Sequence, residues 1–337
     1  MQTSSIILVS WGTTNLCPLK CPHCYRDASR RLPDELSTAE GFKLIDEVAK
    51  LGAKILVFSG GEPLTRDDIV DLVAHAQNVG LRPALATSGI CTTYTLVKRL
   101  VDAGLEYVSI SLDSHITEKH DTFRGVSGLW KRAVDTIKMF KEYNIKVQVN
   151  FTLTKINKED VLGIVDLCER MNIDYLHIFD LVPVGRGFKF FNELKLDQHT
   201  VLEKCVEAIL HAEHVDVKPT CIPQILPYMM LHYPELARKY ATRHTVGCIA
   251  GIRYLYIAPN GDVYPCPYLP IKLGNIRETS LQKILETSDI ILRLRNRAFD
   301  GKCDVCKFKN ICGGCRAKAY AYTGNLFSED PECVIKI

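Results

Sequence analysis

The sequence has no apolar run approaching the ~18 residues that a membrane-spanning helix needs. Its opening residues, Met1 to Ser5, carry no basic stretch ahead of a long apolar one, so no secretory signal is expected. It also lacks an excess of either charge. There are 42 Lys and Arg against 39 Asp and Glu, a formal net charge of +3. That balance offers no electrostatic footprint for a nucleic-acid or membrane-surface partner. What the chain has in quantity is cysteine, 14 in 337 residues. Without export, so many thiols point to a cytoplasmic protein and to metal ligation rather than disulfides. An apolar content of 47% supports a sizeable core, and the length is comfortable for two domains.

Residues 5–180 alternate between strand and helix patterns. Strands are expected at 5–10, 54–59, 82–87, 107–112, 146–154 and 175–181. Helices are expected from Ser37, over 67–79, 93–103, 128–143 and 158–171. Ser37 with Glu40 three residues later reads as a capping box. Six such units with short connections argue for parallel strands with helical crossovers. Residues 190–245 differ: a helix over 197–214 is followed by Pro219, Pro223, Pro227 and Pro234. This reads as a bridging region. Tyr228 to Leu231 within it are read either as an adaptable wall of a cavity or as ordinary packing. Beyond Gly247, two short strand patterns flank Pro259-Asn260-Gly261, a hairpin with an Asn-Gly turn. A helix is expected over 281–295.

The cysteines fall into two groups. Cys17, Cys21 and Cys24 are spaced C-x3-C-x2-C directly after the first strand. Three thiolates on one short loop suit a four-iron cluster with one iron left without a protein ligand. Zinc more often takes a fourth side chain nearby, and three structural thiols is the remaining reading. The second group is Cys248, Cys266, Cys303, Cys306, Cys312, Cys315 and Cys333. Two auxiliary clusters, one cluster with idle cysteines, or a four-thiolate zinc site would each use such a set. Cys91, Cys168, Cys205 and Cys221 fit neither group and read as small apolar core residues.

The triad, with Ser59-Gly60-Gly61-Glu62-Pro63 about 35 residues on, resembles the radical S-adenosylmethionine (SAM) superfamily. The second group resembles that superfamily's seven-cysteine SPASM extension. It departs in having two residues (Gly313-Gly314) between the last two cysteines of its middle segment, where three are common. The resemblance implies a partial (β/α)6 TIM-like barrel followed by a small cysteine-rich SPASM domain with a β-hairpin. The expected division is 1–190, 191–245 and 246–337. It implies a [4Fe–4S] cluster on Cys17, Cys21 and Cys24, with SAM bound to the open iron. It implies SAM contacts from Gly60, Gly61, Glu62, Ser111, Asp113, Arg124, Asn150, Thr152 and Val182, with His23, Tyr25 and Arg26 at the rim. Cys303, Cys306, Cys312 and Cys333 would fully hold an outer auxiliary cluster. Cys248, Cys266 and Cys315 would hold an inner one with an open site. A reduced ferredoxin or flavodoxin is the implied electron donor.

Cys21 to Ala28, His120 to Gly125 and His177 to Gly187 resemble the subgroup that modifies tetrapyrrole side chains. That subgroup implies removal or oxidative decarboxylation of carboxylate side chains on an iron porphyrinoid. A polycarboxylate substrate needs cationic anchors in a large cavity. Arg186, His177, Arg243, His244 and Arg253 are the candidates. The alternative is a SPASM maturase that crosslinks a ribosomal peptide. The 16 residues ahead of Cys17 are few for a leader-binding segment, which disfavours that reading.

Overall fold

A computed structural model describes residues 6–244 and 247–335. Ser5 of the expected first strand, and the expected boundary between 245 and 246, lie outside those residues. Seven strands run parallel in chain order: β1 (Leu8–Thr14), β2 (Ile55–Gly60), β3 (Arg82–Thr87), β4 (Tyr107–Ser111), β5 (Lys146–Leu153), β6 (Tyr175–Asp180) and β7 (Asp216–Thr220). Helices cross over between them and cover the outer face. β8 (Tyr254–Ile257), β9 (Asp262–Tyr264) and β10 (Gly274–Asn275) continue the same sheet from the other edge of β1, giving ten strands that end at β7 and β10. The barrel is therefore open, and it has a parallel-sheet core with an antiparallel hairpin attached.

Alternation within each strand decides what faces where. On β5, Val147, Val149, Phe151 and Leu153 are buried, and they share one core with Ile137 and Phe140 of the helix Leu129–Glu142. Gln148, Asn150 and Thr152 between them are only partly covered. In a strand, successive side chains take opposite faces, so these polar residues line the inner face of the half-barrel. The capping box forms: Ser37 accepts from the Glu40 N–H, and the Glu40 carboxylate accepts from the Ser37 N–H at 2.8 Å.

Several elements differ from expectation, among them the helix over 281–295, which breaks at Ser288 into Leu281–Thr287 and Asp289–Arg295. β1 begins later and runs on through Trp11 to Thr14, because it is paired on both sides, Trp11 with Phe58 of β2 and with Ile257 of β8. The bridging region supplies β7. Pro219 is tolerated there because β7 is an edge strand, where a missing N–H breaks no ladder. A helix spans Thr117–Arg124, a stretch too polar to show an apolar stripe, and it ends at Gly125 in the left-handed region (φ 76°). Tyr228 and Met229 are buried in the main core, while Met230 and Leu231 are exposed. The four therefore do not act together as a cavity wall.

A buried charge cluster joins the end of β6 to the C-terminal region. Lys318, on the helix Arg316–Thr323, pairs with Asp180 at the end of β6 and with Glu332, and donates to Gln198 at 2.9 Å. Burial works against the ammonium charge, but the two carboxylates outweigh it and raise its pKa. Removing one partner of such a pair leaves unpaired buried charge, a cost of about 3–5 kcal/mol. Lys318→Ala is expected to destabilise by that amount in anaerobic urea unfolding. A loss below about 1 kcal/mol would show that Asp180 and Glu332 do not depend on it.

Candidate cofactor sites at the mouth of the half-barrel

The triad loop leaves the C-terminal end of β1 and is closed on itself. Cys17 N–H donates to the Ser29 carbonyl (3.2 Å) and Ser29 N–H to the Asn15 carbonyl (3.0 Å). Glu35 accepts from the N–H groups of Asn15 and Leu32 at 2.7 and 3.0 Å. The Gly60-Gly61-Glu62 turn is stitched to the same loop: Gly61 N–H donates to Thr14 O (2.7 Å) and Glu62 N–H to Leu16 O (2.8 Å). A Cβ on Gly60 would lie 2.5 Å from Thr14 O, and one on Gly61 2.3 Å from Leu16 O. The glycines are thus required by the protein's own backbone, three residues and one residue ahead of Cys17. Glu62 is fully buried and accepts from the Thr87 hydroxyl (2.7 Å), the Ser88 N–H (2.9 Å) and the Ser88 hydroxyl (2.6 Å). It braces the ends of β2 and β3.

Asp113 and Arg124 form a second support. Arg124 Nε donates to Asp113 Oδ2 at 2.7 Å, and its Nη1 points at Cys21 Sγ at 3.9 Å. Asp113 Oδ1 accepts from the Thr152 N–H at 2.9 Å. Burial pushes the Asp113 carboxyl up, but Arg124, His23, His120 and the Thr152 N–H together outweigh it and hold the pKa below the usual carboxylate range. His23 stacks on Phe123 with ring centroids 4.6 Å apart. Burial pushes its pKa down to about 4, and its Nδ1 finds no partner among the described residues. Ser111, Asn150, His177 and Lys218 lie side by side in register across β4, β5, β6 and β7.

Other expected residues are placed elsewhere. Arg186 is engaged with the triad loop, donating to Cys21 O (3.2 Å) and Ala28 O (2.8 Å) and pairing with Asp27 (2.8 Å). It is a clamp on that loop and not a free anchor. Arg243 and Arg253 are exposed, and His244 pairs with Asp216 at 3.1 Å. Val182 is buried in a small apolar cluster with Leu269, Cys303 and Cys315. Tyr25 packs against Tyr268 and Arg26 lies over the Tyr256 ring, so both face the C-terminal region.

In that region Cys303, Cys306, Cys312 and Cys333 line one cavity. Gly313 and Gly314 both take left-handed φ (72° and 59°), and a Cβ on Gly314 would approach Cys303 Sγ to 3.2 Å. The short spacer therefore works because two glycines turn tightly over the sulfurs. Among the described residues no three Cys, His, Asp or Glu side chains close round a single ion. The fit to iron–sulfur clusters rests on the chemistry around the sulfurs. All 14 cysteines are free. Phe308 N–H and Gly314 N–H donate to Cys306 Sγ and Cys312 Sγ, both at 3.4 Å, and Arg316 Nη2 to Cys303 Sγ at 3.5 Å. Donors aimed at sulfur stabilise thiolate ligands and tune a cluster's potential.

The radical SAM superfamily profile matches residues 11–168, and that of the SPASM iron–sulfur cluster-binding domain matches 248–316. Over an alignment of 351 positions the chain is 34% identical to the AdoMet-dependent heme synthase of Methanosarcina barkeri, covering 99% of this chain and 98% of that one. The chain belongs to the radical SAM superfamily. It is 33% identical to the Fe-coproporphyrin III synthase of the same organism over 97% of this chain and 88% of that one. The solved structure of SuiB from Streptococcus suis bound to S-adenosylmethionine superimposes with a TM-score of 0.78 at 19% identity, covering 98% of this chain and 78% of that one. That likeness is one of fold. As a radical SAM enzyme with a SPASM domain, the protein uses S-adenosylmethionine and [4Fe–4S] clusters as its cofactors.

Sequence reasoning missed Lys218 and the part played by His120. Lys218 carried a signal, the polar alternation Asp216-Lys218-Thr220, which Pro219 obscured. His120 Nδ1 accepts the Asp113 N–H at 3.0 Å, so the ring is neutral, and burial pushes its pKa down from 6.5 to about 4. A depressed histidine pKa means that the unfolded chain binds the proton first. Stability from His120 is therefore intact above pH 6.5 and is lost as pH falls from 6.5 toward 4, by up to about 1.4 kcal/mol per unit. His120→Asn should flatten that part of the stability–pH profile, and an unchanged slope would refute the assignment. For the radical SAM triad, Gly61→Ala should displace Leu16 and remove about four irons per chain while C-terminal iron remains. Full iron content in that variant would show that the turn does not hold the loop.

Proposed function

We propose that the protein uses SAM-derived radical chemistry to remove or oxidatively decarboxylate carboxylate side chains of an iron porphyrinoid in heme biosynthesis. The observation that carries this reading is the likeness to two heme-pathway synthases at 33–34% identity over nearly the whole chain. The SuiB likeness, at 19% identity, speaks for the fold and not for a peptide substrate.

Cys17, Cys21 and Cys24 would hold the cluster that binds SAM. The chemistry supplied there is reductive cleavage of SAM to methionine and a 5′-deoxyadenosyl radical able to take hydrogen from a substrate carbon. Around it, Asp113 and Arg124 hold position behind Cys21, Gly60-Gly61-Glu62 shape the turn, and Ser111, Asn150 and Thr152 would contact SAM from β4 and β5. Val182, the remaining candidate, would reach SAM from the apolar cluster it shares with Cys303 and Cys315. Cys303, Cys306, Cys312 and Cys333 would hold an outer auxiliary cluster, and Cys248, Cys266 and Cys315 an inner one. The functional division is 1–190 for the radical core, 191–245 for the bridge and 246–337 for the auxiliary clusters. A reduced ferredoxin or flavodoxin delivers the electron.

Lys218 anchors a substrate carboxylate. Its ammonium lies on the inner face of β7, in register with His177. Burial lowers its pKa, and the charged neighbour opposing that is Asp216, which is already paired with His244. A partly desolvated cation is relieved by an incoming carboxylate, and a charge-assisted bond of this kind is worth about 1.5–3 kcal/mol.

Anaerobic assays with SAM, reductant and a panel of siroheme-derived iron porphyrinoids test the reading. The expected result is 5′-deoxyadenosine together with a porphyrinoid lighter by a side chain or by carbon dioxide. SAM cleavage with every porphyrinoid unchanged would overturn it. In Lys218→Met, KM for the porphyrinoid should rise roughly 10- to 100-fold while substrate-free SAM cleavage is unchanged. An unaltered KM would remove Lys218 from the substrate site.

A further inference from the structure

Cys221 differs from the other cysteines outside the two ligand groups. Cys168 and Cys205 are buried in the main core and Cys91 packs against it, where a small apolar residue is all that packing requires. Cys221 instead follows directly on β7 at the mouth of the half-barrel, with φ at 63°. A left-handed backbone is uncommon for a residue with a Cβ, and glycine would adopt it freely. A cysteine kept in that conformation points to a use for its side chain.

Its surroundings indicate the use. Cys221 packs with Cys266 and Tyr268 against the small apolar cluster that contains Cys315. The titratable groups nearest its thiol are Cys315, Cys266, Asp180 and Lys318. The segment is also fastened to the auxiliary region. Gln224, buried three residues on, donates to Asp330 Oδ2 (3.2 Å) and to Glu332 O (3.3 Å), and accepts from the Val334 N–H (3.2 Å). Asp330 Oδ2 in turn accepts the Cys315 N–H at 2.7 Å. One buried carboxylate thus holds both Cys315 and Gln224, three residues beyond Cys221.

We propose that Cys221 is the fourth protein ligand of the inner auxiliary cluster, completing the set Cys248, Cys266 and Cys315. The proposal rests on the reading that those three hold a cluster of their own. It changes what that cluster can do. Three thiolates leave one iron open for a substrate or solvent, whereas four close the cube and confine it to passing electrons. Ligation converts the Cys221 thiol to thiolate, with its proton released to solvent.

The test uses the full chain carrying Cys17→Ala, Cys21→Ala and Cys24→Ala, which removes the one cluster that must have an open iron. Reconstituted anaerobically, this background should hold about eight irons. A count of about four would instead show that there is a single auxiliary cluster, so that the reading beneath the proposal fails. With about eight irons present, mild ferricyanide oxidation should produce no [3Fe–4S] signal by electron paramagnetic resonance. Adding Cys221→Ala should either yield close to one [3Fe–4S] spin per chain or remove the irons of one cluster only. Cys221→Ser should retain the cluster with an altered reduced spectrum. Cys205→Ala, in the main core, should leave both clusters as they are. The proposal is overturned if the background already gives the [3Fe–4S] signal, or if Cys221→Ala and Cys221→Ser match the background in iron content and spectrum.

Discussion

Everything in this molecule hangs on β1 being hydrogen-bonded on both sides. One edge takes β2 and starts the parallel half-barrel, and the other takes β8 and the C-terminal hairpin. A strand held on both edges cannot slip register without turning all its side chains to the wrong faces. The loop that leaves its end therefore starts from a rigid point. Cys17 lies three residues beyond that end, and the Gly60-Gly61 turn of the neighbouring strand closes on Thr14 and Leu16 so tightly that a single Cβ would open the gap. The triad loop and the C-terminal cysteine region are thereby referenced to one strand.

Buried charge does the remaining positioning. Arg124 with Asp113 stands behind Cys21, and Lys318 with Asp180 and Glu332 stands between the end of β6 and the auxiliary cysteines. Such pairs contribute little net stability because both ions must be desolvated. Their value is that no other arrangement satisfies them, so the groups they touch are held in one geometry. Arg186 acts the same way on the backbone of the triad loop. A residue that looked free to meet a substrate is used to hold the site together, while a lysine hidden among prolines faces the interior.

Much of the site was legible before any fold was known. Cysteine spacing, the Gly-Gly-Glu-Pro turn, the Asn-Gly hairpin and the Ser37 capping box are local signals, each complete within a few residues. What could not be read depends on pairing over long separations. β7 carries a proline that argues against a strand unless the strand is known to be an edge. The helix Thr117–Arg124 has no apolar stripe, because it packs through Phe123 and through the charge of Arg124.

The sequence by itself determined the superfamily, the cofactor chemistry and the first six parallel strands, since ligand spacing and periodicity are properties of neighbouring residues. Only the tertiary structure decided which of the charged and thiol groups are occupied with the protein's own framework and which face a cavity. Arg124 and Asp113 meet across 11 positions, Arg186 and Cys21 across 165, and Lys318 and Asp180 across 138. Partners that far apart are chosen by the closure of the sheet, and nothing in the residues on either side of them encodes the choice.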